Sequence, residues 1–289
     1  MRIPGILVFL FFITIISSCK KDELFVVEGN LAPPDRTIES VTIETYINRS
    51  YILVLGREPL FQEMKSAFQT LSAANADSTS RYAFLTDLFN KPDYLVNLYN
   101  QNKINLLNNV DTSDFSTWIF LFQFYLNDSS FIFQWPVIQY ELDRMKALRD
   151  AFPQFTNGSI NIQELHSRMS NNYLYDQINM GSANFVISTF QNLLIRNPTL
   201  SEQSSGVSMV DGLNAILFLQ AGNSKVDYLR ILTESSNYYE AQVVHMYRKY
   251  LRRDPITMEM SAGTALFSSA NDYTAVQKLI LASDEFIGL

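Results

Sequence analysis

Six charged residues recur at fixed spacing in this chain: Arg57 and Glu63, Arg196 and Glu202, Arg253 and Glu259. A guanidinium and a carboxylate six residues apart could hold an anionic ligand or serve a catalytic cleft. The same pair could instead serve architecture. The Arg would then satisfy carbonyls at the end of one helix and pair with the Glu that opens the next, each charge complementing a helix dipole. Recurrence decides between the two: chemistry needs one unsymmetrical site, whereas a helix junction is used once per unit. The three pairs are therefore expected to be structural.

Other residue types that carry chemistry are sparse. The two histidines, His166 and His245, stand far apart, with no Cys or second His at ligand spacing. A zinc site would need carboxylates gathered from elsewhere, so both are expected to be helix-surface or satisfied core histidines. A Gly-x-Ser-x-Gly elbow, a P-loop and a dinucleotide-binding glycine pattern are absent from the sequence. Asp111 and Asp114 read as a loop and a helix cap. Gly158, Ile160 and Glu164 fit three positions of an EF-hand loop, but Pro153 and Phe155 stand where its first two side-chain ligands belong. Asn157-Gly158 is instead a turn before a helix carrying Ile162, Leu165 and Met169. No catalytic residue, metal or cofactor is expected.

The charged pairs belong to a longer phrase: aromatic, three residues, Leu, one residue, Arg, one residue, Pro, three residues, Glu. It reads Tyr51-Leu55-Arg57-Pro59-Glu63, Phe190-Leu194-Arg196-Pro198-Glu202 and Tyr247-Leu251-Arg253-Pro255-Glu259. Proline fits the first turn of a helix and disrupts its interior, so each Arg-x-Pro marks a stop and a start. Two frames fit the start. Asn197 and Asp254, before their prolines, are good N-caps, or Thr199 and Glu202 form a capping box that begins the helix slightly later. Each copy closes alike, with Leu88 and Tyr94, Leu232 and Tyr238, and Ile280 and Phe286 six residues apart around a polar turn.

Apolar residues at three- and four-residue spacing, as in Ile43, Ile47, Tyr51, Val54 and Leu55, predict helices throughout. Alternating strand patterns bounded by hairpin turns are missing. The fold class expected is all-α: an irregular multi-helix array of three related units stacked in series, after a cleaved signal peptide and a flexible tether. The divisions are residues 1–18 (signal), 19–37 (tether), 38–98 (first unit), 99–180 (helical insert), 181–239 (second unit) and 240–289 (third unit).

The repeated phrase resembles the helical domains of unknown function that accompany cytochrome c modules in large planctomycete proteins, which carry a similar Leu-x-Arg-x-Pro-x-x-x-Glu junction. It is more loosely similar to a helical module of bacterial surface-layer and secreted proteins, where Leu-Gly-Arg-x-Pro recurs, as in Leu55-Gly56-Arg57-Glu58-Pro59. Haem attachment does not carry over, because Cys-x-x-Cys-His cannot be made with one cysteine.

At the N-terminus Arg2 precedes an apolar run from Ile6 to Ile16 that is broken only by Thr14. Eleven residues at about 1.5 Å each fall short of a bilayer core of about 30 Å, which predicts a secretory signal. The run ends in Ile16-Ser17-Ser18-Cys19, which resembles the lipobox of bacterial lipoproteins. That resemblance implies that Cys19 becomes the first mature residue and carries acyl chains such as palmitate. The other readings are an ordinary cleaved signal or a retained anchor, with Cys19 incidental. Lys20, Lys21, Asp22 and Glu23 resemble the charged signals that send some Bacteroidota lipoproteins to the cell surface, implying an outer-membrane lipoprotein, periplasmic or surface-exposed.

Composition limits the partners. The chain has 22 basic and 29 acidic residues; removing residues 1–18 takes away Arg2 alone and leaves 21 against 29, a net charge of −8. Such a balance argues against nucleic acid or an anionic lipid face. The most unusual stretch runs from Trp118 to Trp135, where two aromatic clusters flank the polar Asn127 to Ser130. It is either core or an exposed binding surface centred on Trp118, Phe122 and Trp135. Two functions remain. One is a non-catalytic envelope lipoprotein that binds a partner protein or helps build a surface assembly; the other is an accessory component of an envelope redox or hydrolytic complex. A cleft uniting His166 or His245 with several carboxylates would favour the second, and closed Arg-Pro junctions the first.

Overall fold

The structure, a computed structural model, describes residues 37–289. The expected signal, Cys19 and all but the last residue of the tether lie outside the described residues. Within them the fold is all-α, with fifteen α-helices, one 3₁₀ turn and one small β-hairpin. The first unit comprises α1 (Ser40–Leu55), α2 (Phe61–Ala73), α3 (Ser78–Phe89) and the start of α4 (Pro92–Leu107). The insert adds α5 (Thr112–Leu126), the 3₁₀ turn Ser129–Phe131, α6 (Trp135–Thr156), α7 (Ile162–Ser170) and α8 (Tyr173–Ile178). The second unit has α9 (Ser182–Leu194), α10 (Leu200–Val210), strands β1 (Ala215–Leu217) and β2 (Gln220–Gly222), and α11 (Lys225–Thr233). The third has α12 (Ser236–Leu251), α13 (Thr257–Ala270), α14 (Tyr273–Leu281) and α15 (Asp284–Ile287).

Each junction is built the same way. The incoming helix buries its apolar stripe, Ile43, Ile47, Tyr51, Val54 and Leu55 in α1 and Phe185, Val186, Phe190, Leu193 and Leu194 in α9. It stops in the left-handed region, at Gly56 (φ 74°), Ile195 (φ 55°) and Arg252 (φ 60°). Only the glycine adopts that conformation without steric cost, so the tertiary fold imposes it on Ile195 and Arg252. Four residues later the chain enters the next helix through Leu60, Thr199 or Ile256 in extended conformation.

The expectation that the prolines open these helices needs correction. Pro59, Pro198 and Pro255 each lie one residue before the N-cap, where the fixed φ suits the extended linker. The later frame is the observed one in all three copies. Asn197 and Asp254 cap nothing: Asn197 Oδ1 accepts from Gln191 and Asp254 pairs with Arg248. The full capping box exists only at Thr199, since Leu60 and Ile256 have no side-chain acceptor.

A second recurring contact lies behind the junctions. Gly206 of α10 and Gly263 of α13, four residues after each Glu, face Val186 and Val243, four residues before each aromatic. A Cβ on Gly263 would come within 2.9 Å of Val243 Cγ1, and one on Gly206 within 3.0 Å of both Val186 methyls. The glycines thus let the paired helices cross closely. Ala67 holds the corresponding place in the first unit.

The units share helices and do not stack in series. α12 ends the second unit and begins the third, and α4 runs through the boundary drawn at residue 98. The third unit folds back onto the first, with α14 against α3 and α15 against α1. Across that contact Arg49 donates to the Phe286 carbonyl at 2.9 Å and the buried Arg81 pairs with Asp284 at 2.5 Å. Tyr94 donates to Gln277 Oε1 and Gln277 Nε2 to Tyr250, both at 2.6 Å. The insert packs through α7 against α4 and α11. The β-hairpin is the element that hydrophobic periodicity missed; its turn residues, Phe218 and Leu219, have φ of 48° and 64°, values their types do not advertise.

Candidate functional site

The six repeated charges are clasped in pairs. Arg57 Nη1 and Nη2 donate to the two oxygens of Glu63 at 2.7 and 3.1 Å, Arg196 to Glu202 at 2.8 and 2.7 Å, and Arg253 to Glu259 at 2.7 Å twice. Each Nη1 also donates to the carbonyl of the next residue, Glu58, Asn197 or Asp254. Each Glu accepts from the N-cap amide of Leu60, Thr199 or Ile256. The aromatic that opens the phrase lies beneath its guanidinium, Tyr51 at 5.6 Å, Phe190 at 5.0 Å and Tyr247 at 5.3 Å from ring centre to Cζ. Hydrogen bonds from the arginines hold the Glu63 and Glu202 carboxyls down to about 2, and lower that of Glu259. In each clasp both carboxylate oxygens and both Nη groups that face them are engaged within the junction, which leaves the carboxylate no open side for a ligand.

The turn before the closing aromatic reaches back to the same arginine in two units. Asp93 accepts from Arg57 Nε at 2.8 Å and Glu285 from Arg253 Nε at 2.7 Å. Asn237 holds the equivalent place in the second unit, so Arg196 has Glu202 as its single ion-pair partner.

The aromatic segment forms a helical hairpin, with α5 packed chiefly along α6. Asp111, expected in the loop, is the residue that caps α5, through the Ser113 amide, and Asp114, expected as the cap, lies in the first turn of the helix. Phe122 is buried, which removes it from the candidate surface; its ring packs on Tyr173 and on Trp118. Trp118 and Trp135 are half-buried, Trp118 against Tyr173 and Trp135 donating from Nε1 to the Tyr125 carbonyl at 3.2 Å. The apolar residues left in water are their neighbours: Phe120 and Phe124 on one face of α5, Ile132 and Phe133 in the connection, and Val137 at the start of α6. Phe133 is 92% exposed, so core packing accounts for the hairpin's inner face and not for its tip. From residue 104 to residue 143 there is no Lys or Arg, against the carboxylates Asp111, Asp114, Asp128, Glu141 and Asp143.

The histidines, distant in sequence, share one small cavity of about 40 Å³ where α4, α7, α9 and α12 meet. His166 is buried; its Nε2 lies 2.7 Å from Asn102 Oδ1 and its Nδ1 2.9 Å from the Tyr238 hydroxyl. Asn102 Nδ2 is committed to the Leu98 carbonyl, so its oxygen faces the ring and Nε2 carries the proton. Burial, reinforced by His245, pushes the imidazole down to about 3. His245 stands exposed at the rim beside the half-buried Lys249. The remaining polar lining is amide and phenol, with no carboxylate.

Carboxylates gather elsewhere, in a cleft of about 600 Å³ between α6, α8 and the second unit. Buried Arg144 pairs with Glu141 and, at 2.9 Å, with Asp176, which also takes Lys225. Two cations and two carboxylates neutralise one another there and tie α6, α8 and α11 together. Histidine and carboxylate chemistry are thus kept apart, and among the described residues no group of three or more His, Cys, Asp and Glu could hold a metal ion. Comparison with protein-family models, with curated proteins and with solved structures yields no match to this chain.

Proposed function

We propose that this chain is a non-catalytic envelope lipoprotein, acylated at Cys19 and held to the outer membrane, whose helical array presents the α5–α6 hairpin to a partner protein in a cell-surface assembly. The observation that carries this reading is the group of exposed apolar side chains, Phe120, Phe124, Ile132, Phe133 and Val137, that the α5–α6 hairpin gathers within one short stretch. Large apolar side chains gathered in water on one element are costly and mark an interaction site more often than singly scattered ones do. Forty residues without a cation argue against lipid headgroups as the occupant, since interfacial helices dock with Lys and Arg on their polar face. The fitting partner offers an apolar groove with a basic rim. The clasped junctions support a scaffold role, and the resemblance to the surface-layer module agrees with it.

The test is site-specific photocrosslinking in intact envelopes. A crosslinker at position 133 should give one discrete adduct, and Phe124→Asp should abolish it while leaving the melting temperature of the body within about 1 °C. An adduct pattern no different from that of a crosslinker at exposed Gln69, on α2, would refute the reading.

A further inference from the structure

The cavity that holds the two histidines is polar and gathers positive groups with no carboxylate in its lining. It lies at the meeting of the first-unit helix α4, the insert helix α7, the second-unit helix α9 and the shared helix α12. Lys249 reaches it from α12, where Nζ donates to Gln101 Oε1 at 2.6 Å and has no carboxylate partner. That bond uses the Gln101 oxygen, and its amide nitrogen keeps its donors unpaired. His245 stands one turn before Lys249 on the same helix, and Asn105 one turn after Gln101 on α4, both without hydrogen bonds. His166 and Tyr273 complete the inner wall.

We propose that this cavity is a binding site for a small monovalent carboxylate, of formate or acetate size, held by Lys249 and the Gln101 amide with His245 at its mouth. Size sets the class: about 40 Å³ admits a few water-sized centres, at roughly 10–15 Å³ each, and no larger organic ligand. Charge sets the sign, because an ammonium withdrawn from water without an anion is unfavourable and a carboxylate repairs the deficit through charge-assisted hydrogen bonds. The strain shows in the lysine itself, whose ammonium is pushed down to about 8 by burial. The His245 imidazole is pushed down by burial and then by Lys249; Arg248, on the same helix, is already paired with Asp254. The site owes nothing to the aromatic hairpin and stands whether or not that surface binds a partner.

Thermal unfolding of the full chain at pH 7 tests this with formate and acetate, against the bulky sulfonate MES at equal ionic strength. Formate at 100 mM should raise the melting temperature by about 3 °C or more over the sulfonate control, and Lys249→Gln, which keeps a hydrogen bond to Gln101 but not the charge, should lose that increment. The second measurement needs no variant. NMR of ¹³C-lysine-labelled protein should show one depressed lysine pKa that rises by about one unit when formate is added. A melting temperature indifferent to formate, an equal rise in Lys249→Gln, or a lysine pKa that formate leaves in place would each overturn the proposal.

Discussion

Replacing Arg196 by Ala isolates what one clasp contributes, because this arginine, unlike Arg57 and Arg253, has a single ion-pair partner. The substitution removes two parallel bonds to Glu202 at 2.8 and 2.7 Å, one bond to the Asn197 carbonyl at 3.1 Å, and the guanidinium stacked on Phe190. Exposed ion pairs are worth up to about 1 kcal/mol and buried charge-assisted bonds about 1.5–3 kcal/mol. The side chains here are 35% and 20% exposed, which places the pair between those limits. Adding about 0.5 kcal/mol for the ring contact gives a loss of about 2 kcal/mol. At about 2–4 °C per kcal/mol for a body of this size, the melting temperature should fall by about 4–8 °C at pH 7. The pH dependence is the sharper readout. Glu202 is held down to about 2 by Arg196, so its stabilisation is present above the unfolded value near 4.5 and is lost as pH falls toward 2. The gap between wild type and Arg196→Ala should therefore narrow steadily below pH 4.5. Arg196→Lys should recover less than half of it, since a point charge cannot supply two parallel bonds. A gap under 1 °C at pH 7, or one that does not change with pH, would refute the clasp as a stabilising device.

Two further perturbations test the core. Gly263→Ala gains about 1 kcal/mol in helix propensity but drives a methyl to 2.9 Å from Val243, an overpacking that costs about 1–3 kcal/mol; a net fall of a few degrees is expected in calorimetry, shrinking or reversing in a Val243→Ala background. His166 is neutral in the fold, with its value lowered from 6.5 to about 3, so it contributes stability above pH 6.5 that disappears as pH falls toward 3. Urea titrations should therefore lose about 2 kcal/mol between pH 7 and pH 4.5 from this residue, and ¹⁵N NMR at pH 5 should show a neutral Nε2–H ring; an imidazolium there would contradict the assignment.

The sequence exposed the recurring parts of this fold because local physics dictates them. The Arg, Pro and Glu of each phrase announced three junctions, and the apolar stripe of α1 announced its helix and buried face. The start of the outgoing helix was legible only at Thr199-x-x-Glu202, where a polar cap stands; Leu60 and Ile256 carry no such signal, and their extended conformation is set by the Glu that reaches back to them. The glycine opposite valine in α10 and α13 was visible as a spacing but had no meaning until the helices crossed. Nothing local marked Phe218 and Leu219 as a turn; the two-residue connection between paired Leu217 and Gln220 requires left-handed backbone at both. The site was the least legible part. Phe122 and Phe124 differ by half a helical turn and not by type, yet one is core and the other surface. The meeting of His166 with Lys249 depends on four helices from separate units.

The contact of α15 with α1 bears on when the molecule can finish folding. Tyr46 of α1 takes its ring partner Phe286, and Arg81 its counter-charge Asp284, from more than two hundred residues downstream. Helices form locally in microseconds, but a pairing so distant in sequence waits for the whole intervening chain. Tyr46 and Phe84 can pack on each other within the first unit, but Tyr46 keeps an uncovered edge until Phe286 arrives. Closure of the first unit is therefore coupled to the docking of α15, a late step relative to the formation of its own helices.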